Sequence, residues 1–166
     1  MAIKWTRIDD RLIHGQVASS WLRHVGAEQI ICISDRAASN PVQEQVLKMA
    51  APGYIVHVFG VDKFVRVYQK NPIKKTTFLI LTSTLDLLHL IEGGVDIKSV
   101  NFGGMRERKE RTIRYNNDLC FTPEEKDALD KLVDSGLEIN FQMAAYDAPI
   151  PIKEYIQQVQ GKNNGN

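Results

Sequence analysis

Three residue types that can move phosphate fall within five positions: Arg11, His14 and Gly15, in the stretch Asp9-Asp10-Arg11-Leu12-Ile13-His14-Gly15-Gln16. Imidazole titrates near about 6.5, so a neutral ring nitrogen is available at cellular pH. Such a nitrogen can attack phosphorus and is also a fair leaving group. Arg11 supplies a permanent planar cation that forks onto phosphate oxygens. Gly15 has no side chain to obstruct an incoming group. Asp10 reads two ways: it orients the guanidinium or the imidazole, or it caps the following helix. Asn101 and Gly103 reach the same crevice if the fold brings their segment alongside; otherwise the glycines mark a tight turn.

The elements that must position these residues alternate. A strand over 3–8 and a helix over 16–25, stopped by Gly26, form the first unit. Further strands are predicted at 29–34, 54–59, 76–81 and 99–102. Helices lie between them, one starting at Asn40-Pro41 as cap and first turn. After Gly103-Gly104 the rhythm changes: a polar run over 106–111, then a strand-like stretch over 112–121. Thr122, Pro123 and Glu125 then compose a capping box for a helix to about 135. A seventh strand over 137–143 and a short helix after Pro151 complete a domain over 1–160, with 161–166 as a frayed tail. The pattern predicts a single-domain α/β fold: an open, mixed, mostly parallel seven-stranded sheet with helices on both faces and one antiparallel strand. The sixth strand, reached without a helix, is the expected antiparallel one. Ligands in such sheets bind beyond the carboxyl ends of the strands, and the His14 loop lies at the end of the first.

With 166 residues, the chain is long enough to bury a core without staples. Its 21 basic and 20 acidic residues give no field for nucleic acid or an anionic membrane. Cys32 and Cys120 lack metal or redox spacing. His24 falls in a last helical turn, where a cation is favoured. His57 and His89 have no partner at ligand spacing, so no metal site is expected. The mixed charges of 106–111 read as a solvated loop or as docking surface for an acidic partner. Two rivals fit the loop chemistry: a phosphatase with a transient phosphohistidine, and a non-catalytic anion sensor.

The stretch from Arg7 to Val17 resembles the signature of the IIB subunit of the mannose/fructose/sorbose family of the bacterial phosphoenolpyruvate-dependent sugar phosphotransferase system. The resemblance continues through Asp35, Lys48-Met49-Ala50-Ala51-Pro52 and Asn101-Phe102-Gly103-Gly104-Met105, to about residue 158. It implies a phosphotransferase without cofactor, in which His14 accepts phosphate on Nδ1 from a IIA protein. His14 then hands it to a sugar brought in by membrane subunits IIC and IID. Arg11, Gly15 and Gln16 hold the phosphoryl group in this picture, with Asp10, Asn101 and Gly103 in support. The cysteines are bystanders. The resemblance also implies a cytoplasmic protein held at the inner membrane face through IIC and IID, without nucleic-acid contact, and suggests a homodimer.

Overall fold

A computed structural model describes residues 2–15 and 17–164. Seven strands lie side by side in the order β3 (Ile55–Phe59), β2 (Gln29–Ile33), β4 (Thr77–Leu81), β1 (Ile3–Asp9), β5 (Ser99–Gly104), β8 (Glu138–Phe141) and β9 (Ile150–Pro151). All neighbours are parallel except the β8–β9 pair. β2 and β4 are buried along their whole length, as expected for parallel strands covered on both faces.

Alternate side chains build two cores. One face packs Trp21, Leu22 and Leu47 on Ile30, Cys32, Phe78 and Ile80. On the other, Phe64, Leu87, Leu129 and Ile156 pack on Ile31, Leu79, Phe102 and Ile139. Each fully buried aliphatic or aromatic side chain contributes roughly 1.5–3 kcal/mol. The first face belongs to α1 (Leu22–Val25), α2 (Asp35–Ala38) and α3 (Pro41–Met49). The second belongs to α4 (Val61–Lys70), α5 (Thr84–Glu92), α6 (Pro123–Asp134) and α7 (Ile152–Asn164). Connections leaving β1 therefore run to one face and those leaving its neighbours β4 and β5 to the other. That arrangement opens a crevice at the carboxyl end of β1.

The mixed seven-stranded sheet agrees with the pattern, but its antiparallel member does not. Residues 112–121 break into a separate hairpin, β6 (Ile113–Asn116) and β7 (Leu119–Phe121), and the antiparallel strand is β9. A two-residue turn at Asn117-Asp118, with the Asp118 amide on the Asn116 side chain, divides the apparent single strand. The helix expected over 16–25 is also different. Val17–Trp21 forms a π turn, followed by a single α turn capped by Gly26 at φ 65°. The predicted caps at Asn40 and Thr122 are present, the second as a full capping box with Glu125. The last helix reaches Asn164, so Gly161 lies within it.

Candidate functional site

Alternation along β1 sends Ile8 into one core and turns Arg7 and Asp9 to the face occupied by Trp21. Both charged side chains are fully buried. The Arg7 guanidinium stacks 4.7 Å over the Trp21 ring and donates to the side chain of Asn101, to the carbonyls of Gln142 (2.8 Å) and Met143 (3.0 Å), and to Asp9 Oδ2 (3.3 Å). Desolvation lowers its pKa to about 10, partly offset by Asp9.

Gly103 lies directly beneath this guanidinium, and a Cβ there would occupy its space. Gly104, at φ 153°, does the same for Arg106. The two glycines thus form a bed for two arginines across the end of β5. Gly103→Ala is expected to displace Arg7 and lower stability by about 3 kcal/mol, from overpacking and weakened pairing of a buried charge. Urea unfolding measures it, and a loss under about 1 kcal/mol would contradict this packing.

The loop after β1 turns back at once, the Leu12 amide donating to the Asp9 carbonyl at 2.9 Å. Leu12 adopts φ 57°, which costs a non-glycine residue roughly 1–2 kcal/mol. Burial of Leu12 and Ile13 contributes roughly 1.5–3 kcal/mol each and outweighs it. The anchored loop places His14 Nε2 3.0 Å from Asp9 Oδ2. Asp9 Oδ1 accepts from Arg106 Nη1 (2.9 Å) and from the Arg11 amide (3.1 Å). All four acceptor positions of the carboxylate are filled. Burial opposes its charge, but the His14 hydrogen bond and the Arg7 and Arg106 charges prevail and hold it at about 2. An ionised Asp9 only accepts, so His14 Nε2 carries the proton. Nδ1 is left with its lone pair and no partner among the described residues.

Arg11 stays half-exposed, its Nε 3.7 Å from Asp9, so its guanidinium is available to an incoming anion. Gly15 is exposed, with nothing within 4 Å of where a Cβ would lie. Gln16 lies outside the described residues. Among the described residues Asp10 neither caps the helix nor touches the imidazole. It accepts from the Arg106 amide (2.7 Å), Arg106 Nη1 (2.8 Å) and Arg111 Nη1 (2.9 Å). Asn101 and Gly103 sit behind Arg7, away from the loop itself.

The carboxylate that orients His14 is therefore Asp9. Arg7, Arg106 and Arg111 are the other residues that the sequence reading missed. Arg106 and Arg111 come from the run expected to be solvated, yet Arg111 is buried in a two-point pair with Glu125. The missed signals were an arginine and an aspartate two apart on one strand face, and two glycines facing them at the end of another. Beside the loop, Asp10, Leu12, Ser34, Asp35, Thr82 and Arg111 contribute to a polar cavity of about 460 Å³.

Burial pushes the Cys32 thiol up to about 12, and Cys120 is also raised by burial. His24 packs edge-on against Trp5 and Trp21, 5.8 Å from each. Among the described residues no helix is long and apolar enough to cross a membrane.

The family model for the PTS system sorbose subfamily IIB component matches residues 3–166. The chain is 37% identical over 162 residues to the mannose-specific EIIAB component of Escherichia coli K12, covering 96% of this chain and 50% of that protein. It thus spans about half the length of that relative. Against the sorbose-specific EIIB component of Klebsiella pneumoniae it is 32% identical over 160 residues, 95% of this chain and 97% of the other. The crystal structure of the IIBSor domain of the sorbose permease from that organism superposes with a TM-score of 0.86 at 33% identity, covering 95% of this chain and 98% of that one.

Proposed function

The chain belongs to the PTS sorbose-subfamily IIB components, and on that premise we propose that His14 is a phosphoryl carrier between a IIA protein and a sugar. The observation that carries this reading is the Asp9–His14 pair, which commits the proton to Nε2 and leaves Nδ1 as nucleophile.

In the loading step the Nδ1 lone pair forms a bond to phosphorus as the donor's bond to it breaks, the electron pair leaving with the donor nitrogen. The ring gains positive charge and Asp9 stabilises it, as a buried carboxylate stabilises an imidazolium in other transfer sites. Arg11 neutralises charge on the equatorial oxygens. In the unloading step a sugar hydroxyl attacks the same phosphorus, the Nδ1–P bond breaks, and the freed Nδ1 pair takes the hydroxyl proton. The sugar enters through IIC and IID membrane subunits, which hold the protein at the cytoplasmic face of the membrane.

The names of the relatives, mannose- and sorbose-specific, agree with this class of acceptor. The test is transfer of radiolabelled phosphate from a phosphorylated IIA protein. Stable label on this chain supports a carrier; release as inorganic phosphate without a persistent adduct would instead indicate a phosphatase, and no label a sensor. Arg11→Ala should slow labelling by roughly two to three orders of magnitude, the effect of removing one preorganised charge contact. An unchanged rate would remove Arg11 from the phosphoryl site.

A further inference from the structure

We infer that Arg106 is a positioning residue for transfer at His14, acting through Asp9. This rests on the reading of His14 as the phosphoryl acceptor. A single nitrogen, Nη1, bridges the two adjacent carboxylates, 2.9 Å from Asp9 Oδ1 and 2.8 Å from Asp10 Oδ1. Its Nε faces Asp118 in the β6–β7 turn at 3.5 Å, and its amide donates to Asp10. Asp10 in turn holds Arg111, which pairs with Glu125, the capping-box residue of α6. An unbroken chain of charge-assisted hydrogen bonds therefore runs from the start of α6 through Arg111, Asp10 and Arg106 to Asp9 and the imidazole. Among the described residues Arg106 is its only link to Asp9, since Arg7 and Arg11 are supported from other elements. The bare face of Gly104 beneath its guanidinium shows that the backbone is shaped to admit it.

Two consequences separate positioning from mere support. The Asp9 oxygen opposite the imidazole is held by Arg106 together with the Arg11 amide, so losing the guanidinium removes one of its two donors and loosens the carboxylate's aim at Nε2. Around the imidazole the charged groups are Arg7 and Asp9 from β1, Arg11 and Asp10 from the loop, and Arg106 from the segment after β5. Removing the Arg106 cation leaves the two carboxylates less compensated and favours the imidazolium, which cannot attack phosphorus.

Arg106→Gln and Arg106→Lys are compared with the wild type using phosphoramidate, a small donor that needs no docking partner. Its P–N bond breaks as the Nδ1–P bond forms, and its nitrogen leaves as ammonia. The acid limb of the Gln variant's rate profile should move up by about one pH unit, so that its deficit relative to wild type is about tenfold larger low on that limb than at pH 9, where the weakened Asp9 contact still slows it. The Lys variant, which keeps the charge, should recover the limb. In 15N-histidine-labelled, unmodified protein, the hydrogen-bonded Nε2 proton of His14 should be seen in the wild type and lost in Arg106→Gln. That resonance is read without any transfer, so a wild type that shows it but takes no phosphate refutes the carrier reading and leaves the positioning role supported. A Gln variant that keeps the resonance and follows the wild-type pH profile, or is slowed equally at every pH, overturns the role of Arg106.

Discussion

His14→Ala takes up no phosphate from a phosphorylated IIA protein, while its unfolding transition stays within about 8 °C of the wild type. The side chain is partly exposed and contributes one hydrogen bond to Asp9, which keeps its contacts to Arg7, Arg106 and the Arg11 amide. Losing a single such bond costs about 1–2 kcal/mol, or roughly 2–8 °C in a domain of this size. Loss of function therefore far exceeds loss of fold. Label retained by the Ala variant would move the acceptor to another side chain.

Asp9→Asn is the more informative change. The substitution conserves shape but replaces one acceptor oxygen by an NH2 group, and four donors converge on that carboxylate. An amide cannot satisfy all four. If its NH2 faces the imidazole, Nε2 must accept, the ring proton moves to Nδ1, and the nucleophile is blocked. If it faces the other way, it opposes the Arg106 guanidinium and the Arg11 amide. In either case the imidazolium character that develops during attack is no longer stabilised. Transfer should fall by roughly three to four orders of magnitude, the scale seen when a carboxylate behind a catalytic histidine becomes an amide. Stability should also fall, by about 3 kcal/mol, because Arg7 stays buried without its anion. Rates are compared per folded molecule, with the folded fraction taken from circular dichroism. A rate within tenfold of wild type would show that Asp9 holds the fold and has no part in the chemistry.

The β/α alternation, the caps and the location of the His14 loop were legible in the sequence because each is a local pattern. Apolar period, Asn40-Pro41 and Thr122-Pro123 with Glu125 all fix structure within a few residues. What decides the site is nonlocal. Nothing adjacent to Asp9 or Asp10 says which of the two faces the imidazole. β-strand alternation assigns Asp9 to the Arg7 face only once β1 is known to run to residue 9, one position past the predicted end. Asp10, the first residue past the strand, instead takes Arg106 and Arg111, about a hundred residues away in sequence.

The 106–111 run misled for a related reason. Mixed charges ordinarily mean a solvated face, and 107–110 are exposed. Its first and last members turn inward because two buried carboxylates, Asp10 and Glu125, await them. Likewise Gly103 and Gly104 read as a turn, since glycine's tolerance of unusual φ and its lack of a side chain look identical in a sequence. Here Gly103 is needed for space and Gly104 for both.

The most direct test of the central claim is the chemical position of the phosphoryl group. Wild-type protein carrying 15N-labelled histidine is phosphorylated from a IIA donor and examined by 31P and 15N NMR, with peptide mass spectrometry to assign the residue. The geometry predicts phosphorus bonded to Nδ1 of His14, with Nε2 still protonated against Asp9. Phosphorus on Nε2 of that ring, or on any other side chain, would contradict it.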